Sequence, residues 1–173
     1  MMSMNLISRF RFTIVKISIL CIFVCIFVFL GALLNTSILV FAKQFTANMV
    51  GGNEVPPVST NGTGYASFRT SVNDTVLKYK VNMTGLSEIT GAQILQGKVG
   101  QNGDVIIDLW NDSKKNTGKQ ATTIRGNITN SDLLGPMKRK ILDTLLAAVN
   151  TGDTYVNVNT SSHPSGEIRG QIK

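Results

Sequence analysis

The sequence predicts a mainly β protein: an antiparallel β-sandwich or barrel-like domain with one short crossover helix, preceded by an N-terminal hydrophobic helix. Three observations carry this expectation. Short runs with period-2 alternation recur, divided by Gly, Asn, Asp and Pro. One stretch near residues 137–149 switches to helical spacing. A long apolar run stands near the N-terminus behind a basic flank.

The first element is the apolar run Ile17–Leu34, eighteen residues interrupted by Ser18 and preceded by Arg9, Arg11 and Lys16. No acidic residue occurs before Glu54. A basic flank ahead of a hydrophobic stretch predicts insertion with the N-terminus inside and the remainder translocated. Two outcomes stay open. The run is longer than a signal-peptide core of about 7–15 residues and close to the roughly 20 of a spanning helix, which favours an uncleaved anchor. The small residue ending Val40-Phe41-Ala42 favours cleavage after Ala42 and secretion. Residues 1–42 are therefore expected to form a signal-anchor, transmembrane or signal segment, and 43–173 a β domain outside the cytoplasm.

Within 43–173 the strand candidates follow in order. Phe45–Val50 alternates and ends at Gly51-Gly52, and Tyr65–Thr70 follows Asn61-Gly62-Thr63-Gly64. Val76–Met83 is the clearest alternating run, with Leu77, Tyr79, Val81 and Met83 on one face and Lys78 and Lys80 on the other. Asn73-Asp74 suits the turn between the last two. Val105–Trp110 is a further candidate. Ile141, Leu142, Leu145, Leu146 and Val149 then line one face of a helix, with Pro136 suited to its first turn and Gly152 to its end. Lys138, Arg139, Lys140 and Asp143 would occupy its solvated face. Last come Tyr155–Asn159 and Glu167–Ile172, an antiparallel hairpin around the turn formers Ser161–Gly166.

The composition excludes several functions. Three of the seventeen Lys and Arg residues precede residue 43, so fourteen remain against ten Asp and Glu, a net of +4. These charges are scattered apart from Lys138–Lys140 and Lys114-Lys115, which is no nucleic-acid footprint. Both cysteines, Cys21 and Cys25, fall in the apolar run, so the outer domain has no disulfide and depends on its core. Asn-x-Ser/Thr recurs at Asn61, Asn73, Asn82, Asn111, Asn127 and Asn159, candidate glycosylation sites on an exported domain.

No catalytic set is visible. The lone histidine, His163, lies in a turn, Gly-x-Ser-x-Gly is absent, and no thiol is available beyond Cys25. Asn102, Asp104 and Asp108 lack the EF-hand spacing for calcium. The sequence predicts no enzyme, no metal site and no cofactor.

Two separated phrases add a resemblance. Gly52-Asn53-Glu54-Val55-Pro56-Pro57-Val58 with Thr63-Gly64-Tyr65-Ala66, and Tyr155-Val156-Asn157-Val158 with Pro164-Ser165-Gly166-Glu167-Ile168-Arg169-Gly170, resemble the signatures of the CHRD (chordin-type) domain family. The resemblance covers roughly Phe45 to Lys173. It implies an extracellular β module without a general activity. Family members often carry a His-x-His pair in a central strand and a further histidine near the C-terminus, which suggests metal binding. Here those places hold Gln93, Leu95 and Asn159, and leucine and amides cannot replace imidazole, so that role does not carry over. Gln93 and Asn159 are instead expected to hydrogen-bond each other.

Each family phrase contains one charged residue beside an apolar neighbour, Glu54 and Arg169. These two are expected to form a structural ion pair, a bidentate clamp tying the first segment of the domain to the last. The functional expectation is a membrane-anchored or secreted, non-enzymatic binding or cell-surface module. Its partners would be the membrane, through the N-terminal segment, and an extracellular protein or glycan, with no nucleic acid. The alternatives are a degenerate metal-binding or redox domain and an envelope structural protein.

Overall fold

A computed structural model describes residues 41–111 and 123–173 of the chain. Eight strands form one sheet: β1 Gln44–Val50, β2 Thr63–Thr70, β3 Leu77–Thr84, β4 Ile89–Gln96, β5 Val105–Asn111, β6 Thr123–Ile128, β7 Thr154–Thr160 and β8 Ile168–Gln171. Their spatial order is β5-β4-β7-β8-β1-β2-β3-β6, and every pairing is antiparallel. The sheet curls into a nearly closed barrel. Its two outer strands, β5 and β6, approach without pairing, and Tyr79 of β3 reaches across to donate its hydroxyl to the Leu109 carbonyl of β5 at 2.7 Å.

Alternation explains which side chains fill the barrel. Ala47 and Met49 of β1, Ala66 and Phe68 of β2, and Leu77, Val81 and Met83 of β3 are buried, while Asn48, Thr63, Lys78 and Lys80 point outward. Ile94, Ile106, Val156, Val158, Ile168 and Ile172 complete the interior. A fully buried side chain of this size contributes about 1.5–3 kcal/mol, enough for a domain without disulfides.

One helix is present among the described residues, α1 Leu142–Asn150, whose Leu142, Leu145, Leu146 and Val149 join the same core. It starts five residues later than the expected 137. Gly135–Met137 form a separate 3-10 turn, and Arg139 takes a left-handed backbone with φ 66°. Lys138, Arg139 and Lys140 therefore precede the helix and do not line its face. Leu142 N–H is capped by the side-chain oxygen of Asn130 at 2.7 Å.

The expected N-terminal hydrophobic helix, and with it the anchor or signal segment over 1–42, falls almost wholly outside the described residues. Among those described, no helix is long and apolar enough to cross a membrane. Strand β6 was not singled out by pattern, because Arg125-Gly126-Asn127 interrupts its apolar positions Ile124 and Ile128.

Candidate functional site

The two phrases that carry the resemblance meet in space. Val50, at the end of β1, pairs with Arg169 of β8, and the Asn53 amide donates to the Arg169 carbonyl at 3.1 Å. Tyr155 and Asn157 of β7, Arg169 of β8 and Glu167 just before it lie on the side of the hairpin away from the barrel interior, yet all four are buried. Two loops cover them: 51–62, between β1 and β2, and 97–104, between β4 and β5.

Arg169 is the centre of this arrangement. Its guanidinium lies over the Tyr155 ring, 3.4 Å from the centroid. One terminal nitrogen donates to the Lys98 and Gln101 carbonyls at 2.9 and 2.7 Å, and the other to Asn102 Oδ1 at 3.1 Å. Asn102 passes the connection on, its amide donating to the Val55 carbonyl at 2.8 Å. The Tyr155 hydroxyl accepts from Gly103 N–H at 3.2 Å. Arg169 thus organises loop 97–104, and Asn102 ties that loop to the first phrase.

The expected bidentate clamp between Glu54 and Arg169 is not what the guanidinium makes. Its donors go to loop carbonyls and Asn102, and the attraction between the two charges acts through space. Glu54 is buried, and its Oε1 has no hydrogen-bond partner. Burial pushes its carboxyl up to about 7, against the opposing pull of Arg169 and His163.

Glu167 behaves in the opposite way. Thr60 Oγ1 donates to one of its oxygens and Thr160 Oγ1 to the other, both at 2.6 Å, and His163 Nδ1 lies 3.3 Å from the latter. Burial works to raise its carboxyl, but these hydrogen bonds and the imidazole outweigh it and hold the group below the usual carboxylate range. Gly166, at φ 137°, lets the turn pass: a Cβ there would meet Asn157 and Glu54.

Gln93 and Asn159 do not bond each other as expected. Across β4 and β7, Gln93 stands opposite Asn157 and Asn159 opposite Gly91, and the Asn159 amide donates to the Pro164 carbonyl at 2.6 Å. Among the described residues, no group of three His, Cys, Asp or Glu side chains could hold a metal ion. Asp104 and Asn102 are exposed on loop 97–104, and Asp108 stands opposite Gln93 on β5.

The glycosylation candidates fall into three groups. Asn61, Asn73 and Asn127 are exposed. Asn82 and Asn159 are half-buried, Asn82 accepting from Thr123 Oγ1 at 3.0 Å and Asn159 held by Pro164. Asn111 ends β5, and its side chain lies outside the described residues.

Comparison with known families agrees with the geometry. The family model described as CHRD domain matches residues 45–172, from the first core residue of β1 to the residue after β8. The chain belongs to the CHRD domain family. No curated protein matches the chain. In this CHRD domain the family phrases form the pinned junction of the first and last strands. Sequence reasoning found Glu54 and Arg169 but missed Tyr155, Asn102 and Glu167 as its members. The available clue was that Tyr155, Asn157, Glu167 and Arg169 all share one face of the last hairpin.

A second surface is open. On the outward face of the sheet, Asn48, Tyr65, Asn82 and Thr123 stand in one register row across β1, β2, β3 and β6. Tyr65 is 43 % exposed, and Val50 on the same side is 40 % exposed.

Proposed function

We propose that this CHRD-domain protein is an extracytoplasmic, non-enzymatic binding module, anchored in the membrane through residues 1–42 or secreted after cleavage following Ala42. The observation that carries the binding role is the row Asn48–Tyr65–Asn82. It presents an exposed aromatic ring between two carboxamides on a polar outer strand face. An exposed aromatic body flanked by hydrogen-bonding amides suits recognition of a protein or glycan surface. By contrast, Glu167 and Arg169 of the family phrases are taken up in holding loops. Exported location is supported by the basic flank and apolar run of the N-terminus and by the family, and Asn61, Asn73 and Asn127 are the sequons best placed to carry glycans.

The test is capture of extracellular material by the full-length chain and by Tyr65→Ala. A partner retained by the wild type and lost by a variant of unchanged stability supports the reading; equal capture by both overturns it. Protease added to intact cells should remove the domain if it is anchored, and the medium should contain it if it is cleaved. Stoichiometric copper or zinc in the purified chain would favour the metal-binding alternative.

A further inference from the structure

Two buried oxygens beside the β7–β8 turn have no hydrogen donor. Glu54 Oε1 and Asn157 Oδ1 belong to side chains that are 6 % and 5 % exposed, and neither oxygen has a hydrogen-bond partner. Both lie close to one point: a Cβ built on Gly166 would sit 2.4 Å from Asn157 Oδ1, 2.6 Å from Asn157 Nδ2 and 2.8 Å from Glu54 Oε1. The Asn157 amide is fixed in orientation because its nitrogen donates to the Ser165 carbonyl at 3.1 Å. Its oxygen is therefore the atom left without a donor.

A carboxylate and an amide oxygen are both acceptors, and buried acceptors without donors are costly. A carboxylic acid removes the conflict, since its O–H can donate to the amide oxygen. We propose that Glu54 and Asn157 form a proton-gated tie, in which a proton on Glu54 closes a hydrogen bond to Asn157 and joins loop 51–62 to β7, and its loss releases that loop. The proton moves between the Glu54 carboxyl and solvent, and no covalent bond changes.

The charges around Glu54 are compatible with such a gate. Arg169 of β8 and His163 of the β7–β8 turn favour the charged form, and burial of the carboxyl outweighs them, raising it to about 7. Glu167 is satisfied separately by Thr60, Thr160 and His163. Loop 97–104 meets Arg169 through the Lys98 and Gln101 carbonyls and the Asn102 side chain, and its own Lys98 and Asp104 side chains are exposed.

The experiment is hydrogen exchange on the full-length chain at pH 5.5 and 8.5, corrected for intrinsic exchange. The amides to follow are those of Glu54 and Val58, which bond to the Gly51 carbonyl, and of Gly166, which bonds to the His163 carbonyl. Their protection should fall about tenfold or more at the higher pH, tenfold corresponding to one pKa unit of coupling. Glu54→Gln, whose amide can donate to Asn157 at any pH, should keep the high protection at both. Asn157→Ala should remove most of the pH dependence. Unchanged protection in the wild type overturns the proposal. So does a pH dependence that survives Glu54→Gln and disappears in His163→Gln, which would make the imidazole the gate.

Discussion

Arg169 and Tyr155 are stacked, the guanidinium lying 3.4 Å from the ring centroid while its nitrogens bond to the carbonyls of Lys98 and Gln101. The ring face and three oxygens take the place of water around a buried cation. Arg169→Ala should lower stability by about 3–5 kcal/mol, as removal of one member of a buried polar network leaves its partners unsatisfied. Arg169→Lys should recover less than half of that, since an ammonium lacks the flat fork that stacks and bonds at once. Denaturant titration of the three proteins is the check. A lysine variant as stable as wild type would mean that charge alone matters here.

Glu54 and Arg169 sense each other without touching, and this changes what a double-mutant cycle should return. Their coupling should be below about 1 kcal/mol, whereas Asn102 and Arg169, in direct contact, should couple by roughly 1–3 kcal/mol. A larger coupling for Glu54 than for Asn102 would restore the direct clamp that the sequence suggested.

The two buried carboxyls make opposite contributions to the dependence of stability on pH. Glu54 is raised from 4.5 to about 7 in the fold, so its contribution is full below pH 4.5 and is lost as pH rises through 7, by at most about 3 kcal/mol. Glu167 is lowered from 4.5, so its contribution is present above that value and is lost as pH falls through its folded pKa. Thermal unfolding across pH should show wild-type stability falling on both sides. Glu54→Gln should flatten the upper limb alone, and Glu167→Gln the lower limb alone. A variant that flattens the wrong limb would reverse the assignment.

Gly166 joins these groups in a single steric condition. At φ 137° an L side chain is strained, and a Cβ would press on Asn157 and Glu54 at 2.4–2.8 Å. Gly166→Ala should cost about 2 kcal/mol or more and should disturb Glu54 as well as the turn. Gly52, which has open space where a Cβ would go, is the control, and Gly52→Ala should change stability by less than about 0.5 kcal/mol. Equal effects at the two positions would remove the steric account.

Much of this fold was legible because one-sided burial writes alternation into a strand. Val76–Met83 showed it, and β3 occupies Leu77–Thr84. The last hairpin showed it too, but the pattern does not reveal that both of its faces are covered: Asn157 and Arg169, opposite the apolar face, are buried because loops 51–62 and 97–104 fold over them. A covering loop leaves no periodic trace. Nor do its backbone carbonyls, which are what Arg169 binds. Helix α1 was visible through Leu142, Leu145, Leu146 and Val149, but its start was not, because Arg139 adopts a left-handed conformation that composition does not announce.

The seam of the barrel rests on one side chain, and it offers the last prediction. Tyr79 extends from β3 over β6 to the Leu109 carbonyl of β5, and it can do so because residue 126 is glycine: a Cβ there would lie 2.5 Å from the tyrosine oxygen. This explains why β6 carries a glycine in mid-strand, where glycine otherwise weakens a sheet. Tyr79→Phe removes only the hydroxyl and should cost about 1 kcal/mol. Gly126→Ala should cost more, because the new methyl group displaces the whole ring from the seam. Hydrogen exchange would locate both effects: the amides of β5 and β6 should lose protection while those of β7 and β8 keep theirs. Loss spread evenly over all eight strands would mean that Tyr79 stabilises the barrel as a whole and that the seam has no separate fastening.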